Sequence, residues 1–405
     1  MVFQSFLSKR RELFAKREGT GYSGSPPRAC SGRGKRPCCR DCFVYHYGGG
    51  ARSSFLPVRT IGYLIHFGSA GVSLFFVLSG FLISGILWDG YKHRDWWKRF
   101  YTRRSLRIFP LYYLALLFAA TVWLLSGVAP GTISPLILYA LYLGDIPALG
   151  RYFSHLPVSV TLGHFWSLAV EEQFYIFWPF VLAIFAGRRR RAIHLILALW
   201  VCSLAFRIAL VAMHASFEWQ GEFLFSRAGE LLAGAYLAMV VRGDAEERQS
   251  VFRWMPAAMV SSLVLIAIAA YVTGAAGFNQ PLMLTAGLAL CSVLFTCVVG
   301  LSLQPGMIQS FFVSPVLRWL GKVSYGIYVY HLLLRGGFAW ITDRIAPRAN
   351  YNERLVLLFF VALAGTLVVA SLSFYTYESA FLRLKDRLGR SANQPDPQKQ
   401  KAHSG

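Results

Sequence analysis

Long apolar runs, broken by short polar or basic segments, set the layout of this chain. The first extends from Tyr63 to Trp88 (YLIHFGSAGVSLFFVLSGFLISGILW), longer than the roughly 20 residues a helix needs to cross a hydrocarbon core. Small residues recur through it, which lets neighbouring helices approach closely. Comparable runs follow at 108–128, 167–186, 192–213, 224–241, 255–273, 281–302, 325–341 and 355–377. The pattern predicts an all-α fold, a polytopic membrane helix bundle. The apolar stretch at 134–149 is interrupted by Gly144, Asp145 and Pro147, so it is expected to be re-entrant or interfacial.

Charge orients these runs. Lys92, Arg94, Lys98, Arg99, Arg103, Arg104 and Arg107 fill the segment after the first run, and Arg188 to Arg191 close the run at 167–186. An excess of Lys and Arg marks cytoplasmic loops, which places the Trp166 end of that run outside. Alternation then brings the chain back to a basic tail inside, and its polar end at 386–405 reads as disordered. Nine crossings put residues 1–60 outside, although these carry twelve Lys and Arg against three acids. One more span ahead of Tyr63 removes the conflict, giving ten crossings with both ends cytoplasmic.

Composition agrees with a membrane protein. Of 405 residues, 55% are hydrophobic and 15% charged, with a mean hydropathy of +0.46, far from the usage of soluble domains. The net charge of +22 would suggest nucleic acid for a soluble protein, but in short loops between apolar runs it is a topology signal, and no nucleic-acid partner is expected. Cys202, Cys291 and Cys297 lie in apolar runs while Cys30, Cys38, Cys39 and Cys42 crowd into one segment, so no secreted disulfide framework is expected. Cys39, Cys42 and His46 have partial zinc-ligand spacing without a second ligand pair, and no metal site is expected. Residues 1–40 lack the apolar core of a signal peptide. No repeat or separate soluble domain stands out, and nucleotide-hydrolase, zinc-protease and nucleophile-elbow motifs are missing.

Within the apolar runs, one stretch carries charge. Trp166 to Pro179 reads WSLAVEEQFYIFWP, and an ionisable side chain at a membrane helix centre costs roughly 2.5 to 3.5 kcal/mol on insertion scales. Ser167, Glu171, Tyr175 and Trp178 fall on one helical stripe, with Glu172 and Gln173 pointing elsewhere. Glu171 either pairs with an arginine to fix helix packing or orients a base or a sugar hydroxyl; its polar and aromatic stripe favours the second. Arg103, Arg104 and Arg107 in FYTRRSLRIFPLYY open a membrane helix, where unpaired amides and added guanidinium groups suit phosphates or a lipid headgroup, or serve as plain anchors. Ser324, Tyr328 and His331 share a face in SYGIYVYH and could form a polar network, although a packing role is the stronger reading for His331. His46 lies in VYHYGGG, where a missing first span would end on the outside.

These residues together resemble the acyltransferase 3 membrane proteins, typified by bacterial enzymes that O-acetylate surface sugars. GSAGVSLFFVLSGFLIS, FYTRRSLRIFPLYY, WSLAVEEQFYIFWP, SRAGELLAGAYLA and LGKVSYGIYVYH are similar to that family's motifs and stand in its order, from about residue 43 to 385. The resemblance implies ten membrane helices in the cell's inner (plasma) membrane, an acyl-CoA donor (acetyl-CoA or another) reaching the protein from the cytoplasm, no bound cofactor, and a carbohydrate or glycolipid acceptor near the outer face. It implies Arg104 and Arg107 as the R-x-x-R pair, Glu171 as the acid of the S-L-x-x-E motif, and His46, separated from Lys35 by ten residues, as the motif histidine and general base. Arg103 would join the donor phosphates, and Glu171 would orient His46 or the acceptor.

The family pattern departs at the start. Where it has an apolar helix near LDGLRG, this chain reads SGRGKRPCCRDC from Ser31 to Cys42, so residues 1–42 read as a frameshifted or misassigned segment ahead of a membrane domain at 43–385. Near the end Glu378 is followed by Ser379 and Ala380 where the family has E-x-P-F, with little consequence expected. The alternatives to membrane O-acyl transfer are a glycan or glycolipid transporter or flippase, for which intramembrane charge is equally expected, and an inactive member lacking its first helix.

Overall fold

The computed structural model describes residues 70–127, 136–146, 160–274, 277–278, 280–349 and 351–391. Lys35 and His46, the segment at 1–42 and the first seven residues of the run that starts at Tyr63 lie outside the described residues, as does the tail from 392. The described residues contain helices and no strand. In chain order these are α1 (Ala70–Gly90), α2 (Trp96–Leu125), α3 (Leu136–Ala140), α4 (Trp166–Ile184), α5 (Arg189–Ala212), α6 (Phe217–Gly221), α7 (Leu224–Val241), α8 (Ala245–Phe252), α9 (Met255–Thr273), α10 (Leu288–Leu301), α11 (Met307–Phe312), α12 (Pro315–Leu333), α13 (Arg335–Ile345), α14 (Tyr351–Ser373) and α15 (Ser379–Ser391). Eight stretches among the described residues are long and apolar enough to cross a membrane. The fold is a polytopic helical bundle.

Local chemistry explains many boundaries. Proline opens α9 and α12, where its missing N–H is no loss, and Gly274 ends α9 in the left-handed conformation at φ 65°. Two expected boundaries move. The basic segment before residue 108 is helical from Trp96, so the arginines lie inside α2 rather than in a loop; charge marks a side of the membrane and does not stop a helix. Pro110 inside α2 removes the amide that Leu106 would have bonded, and the hydroxyls of Tyr325 and Tyr377 donate to the nearby carbonyls of Ile108 (2.9 Å) and Pro110 (3.3 Å).

The run expected at 325–341 behaves differently. Its helix starts at Pro315 and stops at Leu333, and a new helix begins at Arg335. Gly336 and Gly337 follow directly, and paired glycines weaken helix continuation. This is the one of the nine expected crossings that is absent from the eight apolar spans. The stretch at 134–149 makes no crossing in its described part: α3 ends in a turn through Tyr142, and Tyr112 and Tyr113 of α2 donate to the carbonyls of Tyr139 (2.6 Å) and Ala140 (3.0 Å).

At the centre lie α1 and α7, in direct backbone contact. A Cβ added to Gly80 would collide with the Leu231 carbonyl, and one added to Gly234 with the Val77 carbonyl. Around this pair pack α4, α5 and α10, with α9 against α10; α12, α14, α13 and α15 form a second group joined to α2. The outer helices expose apolar side chains such as Val201, Phe206, Leu263, Ile268, Phe360 and Leu372, as expected of surfaces facing lipid tails. At the basic end Arg242, just past the end of α7, grips Asp89 of α1 through Nε and Nη2, both at 2.7 Å, and Arg189 pairs with Glu247.

Candidate active site

The stripe on α4 is buried along its length and reads across to its neighbours. Ser167, Glu171, Tyr175 and Trp178 are all buried. Trp178 Nε1 donates to Ser84 Oγ of α1 at 2.8 Å. The Tyr175 hydroxyl donates to Glu171 Oε1 at 2.7 Å and shares a further hydrogen bond with Ser79 of α1; since the phenol proton goes to the carboxylate, Ser79 supplies the proton of that second bond. Glu171 is therefore held by its own helix one turn on, with α1 as the support.

The top of the stripe meets α12. Ser167 hydrogen-bonds Tyr328, and the Tyr328 hydroxyl lies 2.7 Å from the His164 carbonyl. His331 Nδ1 is 2.6 Å from the Tyr328 carbonyl and His164 Nε2 is 3.2 Å from the Val329 carbonyl, which assigns the proton to each of those nitrogens. The two imidazoles lie 4.9 Å apart, centroid to centroid. Tyr328 and His331 thus join the α4 stripe, as their shared face suggested, whereas Ser324 donates to the Gly321 carbonyl one turn back at 3.2 Å. His164 is the member that the sequence pattern did not single out; its position two residues ahead of Trp166 was the available signal.

The arginines separate. Arg103 is exposed, while Arg104 and Arg107, three apart on α2, are partly buried. The Arg104 guanidinium lies 4.0 Å from the Tyr175 ring centroid, a cation–π contact. Arg107 has Arg104, Glu378, Tyr175 and Tyr325 as its ionisable neighbours. A chain of contacts therefore links the basic end of α2 to Glu171: guanidinium, phenol ring, phenol hydroxyl, carboxylate.

Glu172 and Gln173 do turn to other faces of α4. Gln173 Nε2 donates to the Tyr142 carbonyl (2.8 Å) and to Asp145 Oδ1 (2.6 Å), and Asp145 Oδ2 accepts the amide of Leu224 at the start of α7 (3.3 Å). Asp145 lies between the spans, and burial pushes its carboxyl up to about 6, against the pull of Gln173 and of the backbone amides. A second polar centre lies between α1 and α7, where Arg227 pairs with Glu230 at 3.0 Å and both bond Ser73. Arg207 donates to the Ser226 carbonyl beside it.

A buried carboxylate, paired imidazoles and an inward arginine suit proton transfer and the handling of an anionic donor. An acyltransferase domain model, Acyl_transf_3, matches residues 42–375. The chain belongs to the acyltransferase 3 family. Bacillus subtilis YrhL, provisionally named a peptidoglycan O-acetyltransferase, is 30% identical over 310 residues, 69% of this chain and 46% of that protein. The Listeria monocytogenes peptidoglycan O-acetyltransferase OatA is 26% identical over 343 residues, 80% of this chain and 53% of its own length. A Staphylococcus aureus protein provisionally named an O-acetyltransferase is 25% identical over 78% of this chain and 52% of its own. The chain spans about half the length of these curated relatives. No solved structure matches it. Membership of the family makes this a membrane acyltransferase domain.

Proposed function

We propose that the protein moves an acyl group, most simply acetyl, from cytoplasmic acyl-CoA to a hydroxyl of an exported or cell-surface glycan. The contact chain from Arg104 through Tyr175 to Glu171 carries this reading, because it joins the basic end of α2 to a buried carboxylate inside the bundle. Arg103 and Arg107 attract the donor phosphates at the basic end, which is cytoplasmic by its charge, and Arg104 lies against the Tyr175 ring. The protein sits in the plasma membrane with its C-terminus in the cytoplasm. His46 serves as general base on the acceptor hydroxyl, since imidazole takes and returns a proton near neutral pH, and Glu171 orients it. The hydroxyl oxygen attacks the thioester carbon, the carbon–sulfur bond breaks, and the proton passes through His46 to the CoA thiolate. The relatives named for peptidoglycan favour a cell-wall glycan as acceptor.

The test is acetyl-CoA turnover by membranes containing the protein, with cell-wall glycan as acceptor. Wild type should release CoA and yield O-acetylated glycan by mass spectrometry, while His46→Ala and Glu171→Gln should lose most of that product. Movement of unmodified glycan without CoA release would sink the reading in favour of a transporter.

A further inference from the structure

Glu172 is a buried acid that the α4 stripe leaves out. It is 7% exposed, and its Oε1 has no hydrogen-bond partner among the described residues. Its ionisable neighbours are Arg104, Glu171 and the hydroxyls of Tyr112, Tyr113, Tyr142 and Tyr325. Three of those four hydroxyls already donate to backbone carbonyls, of Tyr139, Ala140 and Ile108. The fourth, on Tyr142, belongs to a residue 6% exposed and has no partner among the described residues, and neither has Arg104 Nε. Buried polar atoms left unsatisfied are rare and costly, so three in one neighbourhood need a reason.

The backbone around Tyr142 is also special. Tyr142 takes a left-handed conformation at φ 56°, unusual for a bulky residue. It is held there through its own carbonyl by Gln173, which Asp145 holds in turn. Its ring stacks on Tyr112 at 4.3 Å between centroids. Strain that the surroundings over-determine in this way is typical of ligand sites.

We infer that Glu172 and Tyr142 form a subsite for one hydroxyl-bearing ring of a carbohydrate acceptor, bounded on the donor side by Arg104. The inference rests on the acyl-transfer reading above for the word acceptor, and on these residues for the sugar. Neighbouring sugar hydroxyls both donate and accept. They can give a proton to Glu172 Oε1, exchange a hydrogen bond with the Tyr142 hydroxyl and accept from Arg104 Nε–H, while the ring's C–H face packs on an aromatic surface. An acyl thioester carbonyl only accepts, and would leave Glu172 unpaired. Tyr142 packs on Phe109 and Tyr112 of α2, roughly one to two turns beyond Arg104.

The test uses the full chain in nanodiscs with three soluble probes, chitotetraose, cellotetraose and maltotetraose, followed by saturation-transfer NMR, with CoA binding measured by calorimetry. Wild type should bind at least one probe. Tyr142→Phe and Glu172→Gln should each weaken that binding at least fivefold, and leave CoA affinity within twofold. Failure of wild type to bind any of the three, unchanged binding by the variants, or an equal loss of CoA affinity would overturn the inference. Should Glu172→Gln fail to fold, Tyr142→Phe, which removes a single oxygen, decides alone; a lower melting temperature with sugar affinity intact would make Tyr142 structural and the inference wrong. Tyr142-dependent sugar binding without any acyl transfer would sink the acyl-transfer reading and leave the sugar subsite standing.

Discussion

Tyr175 is where the site's separate parts meet, because one side chain presents its ring to Arg104 and its hydroxyl to Glu171 and Ser79. Tyr175→Phe keeps the ring and deletes both hydroxyl bonds. It should cost about 1 to 2 kcal/mol of stability and lower acyl transfer by up to about 100-fold through misplacement of Glu171; a kinetic comparison with wild type checks this. Asp145 gives a pH signature of its own. Its carboxyl titrates near 6 in the fold against about 3.8 in the open chain, so the folded state binds the proton more tightly. Its contribution to stability is therefore fully present below about 4 and is lost as pH rises through about 6. Melting temperatures in detergent should show this fall, and Asp145→Asn should flatten it. Of these residues the stripe was legible, since a spacing of four along an apolar run isolates Ser167, Glu171 and Tyr175. Ser79 and Ser84 were not, because a serine in a small-residue helix carries no mark of the partner that will reach it from another helix.

Helix positions followed from hydropathy, and helix ends less well. Apolar length is a property of a run and survives any arrangement of its neighbours, which is why the spans of α5, α9 and α14 agree with the pattern. The end of α12 at Leu333 and the left-handed turn at Tyr142 depend on competition between local and tertiary bonds, which a pattern does not express. The α1–α7 contact shows the same limit: small residues announced close packing, but only the fold pairs Gly80 with Leu231 and Gly234 with Val77. Gly234→Val forces a side chain onto a backbone carbonyl and should destabilise by at least about 1 to 3 kcal/mol. The folded yield and melting temperature of the purified variant measure it, and a wild-type value would mean the two helices are free to separate.

Taken whole, the bundle has a basic end, from which a buried polar line runs through Tyr175 to Glu171. Two parts of the α1–α7 pair do different work: glycine contact holds the middle, and the bidentate pair of Arg242 with Asp89 holds the basic end. Backbone touching backbone at Gly80 and Gly234 leaves no slack there between the two helices. A carrier that alternates between two openings needs such slack at its centre; a fixed partition, across which a two-carbon unit is passed from hand to hand, does not. Bridging positions 89 and 242 with a short bis-maleimide, in a cysteine-free background with Asp89→Cys and Arg242→Cys, should therefore leave at least about half the turnover of the unbridged variant. The membrane's two faces would then exchange chemistry while the wall between them stands still.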